Sequence, residues 1–281
     1  MEDYRMNCVI VDEIIKGAFA EDIPYGDITS ESLLDPNATV EAVLISKEVG
    51  VIAGLDVFRR VFELLGGVTC QSHCSDGDVV QVGQTIAKLQ GNAIHMLKGE
   101  RVALNLIQRM SGIATKTQRY TEALINVPTK ILDTRKTTPG LRYLEKYAVS
   151  VGGGVNHRFG LSDGILIKDN HIAAVGGVKL AIEKARQKHG FVRKIEVEVE
   201  TLDMVQEALE AGADIIMLDN MDNDTLKKAV ELINGAAITE CSGNITLERL
   251  QDIKDMGIDY ISCGSLTHSV SSLDISLRIA Y

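Results

Sequence analysis

The sequence predicts a parallel α/β barrel carrying a smaller α+β domain on its amino-terminal side. Apolar runs of strand length recur at residues 131–132, 165–167, 195–199, 215–218, 237–239 and 260–262. Helical periodicity fills most of the intervals, the pattern of βα units that feed one parallel sheet. Arg135, Lys136, Lys168, Asp219, Glu240 and Gly264 fall at or just beyond the ends of those runs, the face where βα barrels carry their chemistry. A doubly wound open sheet would need such ends only at its switch point. The 281 residues fit two domains, or one barrel with an appendage, at roughly 150 residues per domain.

Before the barrel, residues 1–34 read as helix and then turn. Val9, Val11, Ile14, Ile15, Ala18 and Phe19 share one face, and Pro24 and Gly26 break it. Residues 40–53 read as one or two strands, and 55–65 as a helix with Phe58, Val61, Phe62 and Leu65 on one stripe. Residues 68–89 read as strands around the Asp76-Gly77 turn. Residues 77–86 also resemble part of a biotinyl or lipoyl carrier, yet the modifiable lysine at a hairpin tip is missing. Residues 94–125 read as one helix or two, with breaks expected near Gly99 or Ser111-Gly112. Helices over 141–149, 178–188, 202–211, 225–233 and 247–256 then alternate with the barrel strands.

Composition narrows the classes of function. A net charge of -10 and a pI near 5.1 repel nucleic acid and anionic membranes, so any bound anion must be captured by a local pocket. No apolar run approaches the ~20 residues of a membrane span, and the acidic start does not read as a signal peptide. Five cysteines, an odd number in a chain too large to need disulfide staples, point to reduced thiols and a cytoplasmic setting. Cys70-x-x-His73-Cys74 has no second ligand pair after it, so no zinc site is expected there.

The chemistry-bearing residues gather at strand ends. Lys130-Ile131-Leu132 runs into Asp133-Thr134-Arg135-Lys136, and Ile165-Leu166-Ile167 into Lys168-Asp169-Asn170-His171. Between them lies Gly152-Gly153-Gly154-Val155-Asn156-His157-Arg158. Four cations and a histidine brought together repel one another, at a cost on the order of several kcal/mol per buried unpaired ion, unless an anion fills the space. Glu196, Glu198 and Glu200 alternate with Ile195, Val197 and Val199, so in a barrel they face inward and need cations, for which Lys168 and Lys136 are the candidates. Asp219 ends another strand, and with Glu198 it offers a hard-oxygen site for Mg²⁺. The late loops Cys241-Ser242-Gly243-Asn244 and Cys263-Gly264-Ser265 are small enough to present N–H groups to a phosphate. Arg101 reads either as a solvated helix charge or as a site residue, and Lys168 alone would also suit a Schiff-base lyase.

Taken in order, several segments resemble quinolinate phosphoribosyltransferase. They are Glu21-Asp22…Gly26-Asp27-Ile28-Thr29, Glu100–Asn105 with Ser111–Thr115, Asp133–Thr137, Asn156-His157-Arg158 and Ile167–His171. Glu198, Leu218-Asp219-Asn220, Ser242-Gly243 and Gly264…Thr267-His268-Ser269 continue the likeness. The resemblance implies a Mg²⁺-dependent pentosyltransferase of NAD biosynthesis that converts quinolinate and phosphoribosyl pyrophosphate to nicotinate mononucleotide, CO₂ and pyrophosphate. It implies an incomplete, seven-stranded barrel over residues 106–266, and an α+β domain over 1–105 joined by 267–281. It also implies a homodimer whose active site borrows Arg101 from the partner. Among the site residues, Lys136, Lys168, Glu198 and Asp219 are the catalytic candidates, with Glu198 and Asp219 toward the metal. Substrate contacts extend to Thr134, Arg135, His157, Arg158, Ser242, Gly243, Asn244, Cys263, Gly264 and Ser265. Asn244 stands where many relatives carry glycine. The related activities are a nicotinate-using or molybdenum-transport-associated paralogue.

Overall fold

The structure is a computed structural model that describes residues 6–189 and 191–279. The first five residues of the helical reading over 1–34 lie outside the described residues. In chain order the first elements are α1 (Cys8–Asp22), α2 (Ile28–Leu33), β1 (Thr39–Ser46), β2 (Gly50–Val51), α3 (Leu55–Leu65), β3 (Val68–Ser72), β4 (Val79–Val80), β5 (Thr85–Asn92) and α4 (Ala93–Glu122). Then come β6 (Lys130–Leu132), α5 (Arg142–Val151), β7 (Ile165–Ile167), α6 (Asp169–Val175), α7 (Val178–His189), β8 (Ile195–Val199), α8 (Leu202–Glu210) and β9 (Ile215–Asp219). The last are α9 (Asn223–Ile233), β10 (Ile238–Ser242), α10 (Leu247–Ile253), β11 (Tyr260–Ser262), α11 (Ser265–His268) and β12 (Ile275–Ile279). Two compact units result: Met1–Gln118 with Thr137–Gly153 and Ser269–Tyr281, and Arg119–Lys136 with Gly154–His268.

The first unit is built on an antiparallel sheet of order β12-β1-β5-β3. Along β1, Ala42, Leu44 and Ser46 are buried and alternate with more exposed positions, as one solvated face requires. The α3 stripe buries Leu55, Val57, Phe58, Val61 and Phe62, with the two phenylalanine rings edge to face at 5.3 Å. Asp27 caps α2 by accepting the Thr29 and Ser30 N–H groups, so its local role is to satisfy helix-end donors. α4 runs unbroken for 30 residues, against the breaks expected near Gly99 and Gly112. The reason is steric: a Cβ on Gly99 would lie 2.8 Å from the Phe62 ring, and one on Gly112 2.2 Å from the Ser271 carbonyl oxygen. Both glycines serve close packing.

The second unit carries a parallel sheet of six strands in the order β6-β11-β10-β9-β8-β7, one fewer than the seven implied by family resemblance. Where a seventh would stand, Val155 makes a single parallel bridge to Leu132, closed by Val155 N–H to Ile131 O at 2.9 Å and Asp133 N–H to Val155 O at 3.2 Å. The glycines leading into it, with Gly153 at φ 87, have no side chains to pack and too much freedom to extend a ladder. β8 and β9 are covered by helices that bury Val205 and Ala208 on α8 and Leu226, Ala229 and Ile233 on α9. α6 had no sequence signal because its seven residues include no buried one. Among the described residues, no helix is long and apolar enough to cross a membrane.

Parallel register sets the interior in rows. Glu198 pairs with Met217, Met217 with Glu240, and Glu240 with Tyr260; partners in such a row point to the same side. One row deeper, Leu166 pairs with Glu196 and Glu196 with Ile215. One row higher, Asp219 pairs with Ser242. β10 is longer than the expected 237–239, so Glu240 lies mid-strand and not at its end.

Candidate active site

Above the middle row opens a cavity of about 660 Å³ at the carboxyl ends of the strands. Thr134, Arg135 and Lys136 line it after β6, His157 and Arg158 after the Val155 bridge, and Lys168 after β7. Glu198 and Asp219 enter from β8 and β9, and Ser242, Gly243 and Asn244 from β10 and its loop. The loop after β6 is fixed from both sides: Lys136 N–H donates to Thr134 Oγ1 at 3.0 Å, and Thr267 Oγ1 donates to Lys136 O at 2.8 Å. Cys263, Gly264 and Ser265 stand outside the lining. The Cys263 thiol is buried, 3.6 Å from Ile245 O and 3.2 Å from Ser265 Oγ, and Gly264 lies against Lys136, whose Cδ would be 3.0 Å from a Cβ there. Arg101 is an exposed residue of α4 in the first unit.

Charge is arranged unevenly around the cavity. Lys168 Nζ pairs with Glu198 Oε2 at 2.5 Å, one of the ion pairs that the inward glutamates called for. Arg158 donates from Nη1 to Gly164 O at 3.0 Å; burial, and then the neighbouring Arg135, push its pKa down. Arg135 and Arg158 line the same cavity, and the charge of the first weighs against that of the second, a cost that a bound anion reduces.

Beneath lies a buried trio. His157 Nε2 is 3.2 Å from Glu196 Oε2 and 3.5 Å from Glu240 Oε2, while Glu240 Oε1 is buried without a hydrogen-bond partner. The three groups have the spacing of a metal site, but the Arg158 N–H donates to His157 Nδ1 at 2.7 Å. Nε2 therefore carries a hydrogen and donates to the carboxylates, which is not how a metal-ligating nitrogen is presented. Burial lowers the ring's pKa, but the hydrogen bonds to Glu196 and Glu240 outweigh it and lift the value to about 10. Taking up the second proton exchanges the Arg158 contact for an Nδ1–H donor. Glu196 is pushed up as well, by burial first and by Glu240 beyond it, against the lowering hydrogen bond from His157.

Both groups bind protons more tightly in the folded chain than in the unfolded one. The stability that His157 contributes is thus complete below its ordinary value of 6.5 and is lost as pH rises through about 10. Glu196 acts in the same direction, above its ordinary 4.5. The melting temperature should therefore fall between pH 6.5 and 10, and Glu240→Gln should flatten that slope by removing one of the carboxylates that raise His157. Equal slopes in melting curves of the two proteins would count against this account.

Three residues take roles in the site that the sequence reading does not give them. Glu240 was placed at a strand end, although inward alternation of Ile238, Glu240 and Ser242 would have marked it once β10 was drawn longer. Glu196 was assigned to the lysines and instead meets His157. Asn220, a lining residue at φ 52, enters the sequence reading only within the Leu218-Asp219-Asn220 segment of the resemblance.

A parallel βα sheet whose strand ends collect cations and two carboxylates around one pocket defines an enzyme acting on polyanionic small molecules. Comparison with known proteins narrows the class. The quinolinate phosphoribosyl transferase N-terminal domain matches residues 27–111 and its C-terminal domain residues 113–278, and the chain belongs to that family. It is 50% identical, over 98% of its length and 95% of the relative's, to a probable nicotinate-nucleotide pyrophosphorylase [carboxylating] of Bacillus subtilis. It is 45% identical to the chloroplastic nicotinate-nucleotide pyrophosphorylase [carboxylating] of Arabidopsis thaliana, over 95% of this chain and 82% of that one. The crystal structure of NadC from Streptococcus pyogenes superposes with a TM-score of 0.94 at 46% identity, over 99% of this chain and 100% of that one.

Proposed function

We infer that the protein transfers the phosphoribosyl group of phosphoribosyl pyrophosphate to quinolinate and releases CO₂, pyrophosphate and nicotinate mononucleotide. The observation that carries this is the gathering of Arg135, Lys136, Arg158 and Lys168 around one cavity: a dicarboxylate and a polyphosphate need that much countercharge. The arginine forks suit the planar carboxylates of the pyridine, with His157 below them. Lys136, Lys168, Ser242, Gly243 and Asn244 are assigned to the phosphoribosyl side. Gly264, with its neighbours Cys263 and Ser265, acts through Lys136, against which it lies.

Held in this way, the pyridine nitrogen meets the anomeric carbon, and the Glu198 and Asp219 carboxylates favour positive charge developing on the ribose. Orientation supplies most of the remaining effect: as CO₂ leaves, the bonding pair stays on the ring carbon beside the new cationic nitrogen, and that carbon then takes a proton from water, so no general base is needed. Glu198 and Asp219 are hard-oxygen donors on adjacent strands lining one cavity, a set that fits Mg²⁺. They would hold the ion, and when bound it would offset the charge of the departing pyrophosphate. We further assign the exposed Arg101 to the active site of a second copy in a homodimer.

Purified protein with Mg²⁺ and phosphoribosyl pyrophosphate should release CO₂ from carboxyl-labelled quinolinate. Turnover of nicotinate alone would reject the quinolinate assignment. The Schiff-base alternative gains no support, since Lys168 Nζ is engaged with Glu198.

A further inference from the structure

β9 and β10 end side by side, and the two turns that follow them are tied together. Asp219 is followed by Asn220 in the left-handed region, at φ 52, and Ser242 by Gly243 and Asn244, at φ 98 and 49. The Asn220 N–H donates to Ser242 O at 3.1 Å. Its side chain folds back, so that Nδ2 donates to Asp219 Oδ2 at 2.7 Å, while Asn244 Nδ2 approaches Asn220 Oδ1 at 3.5 Å. This chain of contacts fixes which end of the amide faces the carboxylate, because the reverse would set oxygen against oxygen. The amide also fills the space a side chain would need at residue 243: a Cβ there would lie 2.1 Å from Asn220 Oδ1.

Arg249 clasps the same two turns from α10. Nη1 donates to Gly243 O at 2.6 Å and Nη2 to Met221 O at 2.7 Å. One planar fork thus sets the spacing of both backbones, which a lysine's single nitrogen does not reproduce. A carboxylate otherwise rotates about its χ torsions; with Oδ2 committed to the Asn220 amide, the Asp219 carboxylate in the cavity wall is held against that rotation.

We propose that Asn220 and Arg249 are positioning residues for the phosphoribosyl half of the reaction, Arg249 fixing the two turns and Asn220 aiming the Asp219 carboxylate. This rests on the assignment of Asp219 to phosphoribosyl pyrophosphate. The hydrogen bonds of the two residues run to Asp219 and to the backbone of the two turns, on the side assigned to phosphoribosyl pyrophosphate, so the two substrates should respond differently.

The test uses full-length protein carrying Asn220→Ala or Arg249→Met. Loss of a hydrogen bond to a charged group corresponds to roughly a tenfold change. The KM for phosphoribosyl pyrophosphate should therefore rise about tenfold in Asn220→Ala, while the Kd for quinolinate, titrated without the second substrate, stays within about twofold. Arg249→Met should give the same split. A folding defect would weaken both substrates together and lower the melting temperature, and that outcome overturns the proposal. A phosphoribosyl pyrophosphate KM within twofold of wild type in both variants also overturns it. Failure of the wild-type protein to turn over quinolinate would instead remove the underlying assignment, so the two failures are distinguishable.

Discussion

Arg158→Ala should lower kcat/KM for quinolinate roughly a thousandfold and, in the same protein, leave the melting temperature unchanged or slightly raised. The two effects have one origin. Arg158 is half-buried and donates to Gly164 O; burial and the Arg135 charge disfavour it and outweigh the pull of Glu196 and Asp163, so its removal relieves a net penalty. In the complex the same guanidinium meets a carboxylate, and truncating a desolvated charged partner costs about 2–5 kcal/mol. Arg158→Lys should recover only part of the loss, because an ammonium does not supply a two-pronged donor. Steady-state kinetics in both substrates, with a thermal melt of each variant, checks the opposed signs. A large fall in melting temperature would mean that Arg158 serves the fold and not the ligand.

The second large effect lies far from the chemistry. Gly112→Ala should destabilise the chain by about 3 kcal/mol, at the upper end of overpacking costs, and lower the melting temperature by roughly 6–12 °C at ~2–4 °C per kcal/mol. Alanine is the better helix former, so propensity alone predicts the opposite sign. Close approach decides the outcome: the new Cβ would sit 2.2 Å from Ser271 O and 3.1 Å from Ser272 Cα, which are backbone atoms with no rotamer to yield. Gln108 anchors the chain just beyond that segment, since its carbonyl accepts the Leu273 N–H at 3.0 Å and its Nε2 donates to Ile275 O at 2.6 Å. A melting temperature at or above wild type would show that the segment moves aside freely.

Sequence periodicity located the barrel strands because they are short apolar runs, as in Ile131-Leu132 or Ile215–Leu218, or alternate strictly, as in Ile195–Val199. It also placed Arg135, Lys136, Lys168 and Asp219, since residues immediately after such runs fall at one end of the sheet. What it could not resolve depended on contacts distant in sequence. Gly112 reads as a break until Ser271 is beside it, and Glu196 reads as a lysine partner until His157 is beneath the cavity. The glycine run before Val155 carries no periodic signal that separates one bridge from a full strand. Cys263 and Ser265 show the limit of motif reasoning: a small loop after a strand can turn its side chains away from the pocket.

Val155 makes that one bridge to β6, and His157 and Arg158 follow it directly. Groups assigned to ligand recognition thus hang from an irregular connector rather than from a hydrogen-bonded ladder. Lengthening or recasting this connector would leave the six-stranded scaffold intact, making it the natural place to graft a new preference for acidic heterocycles.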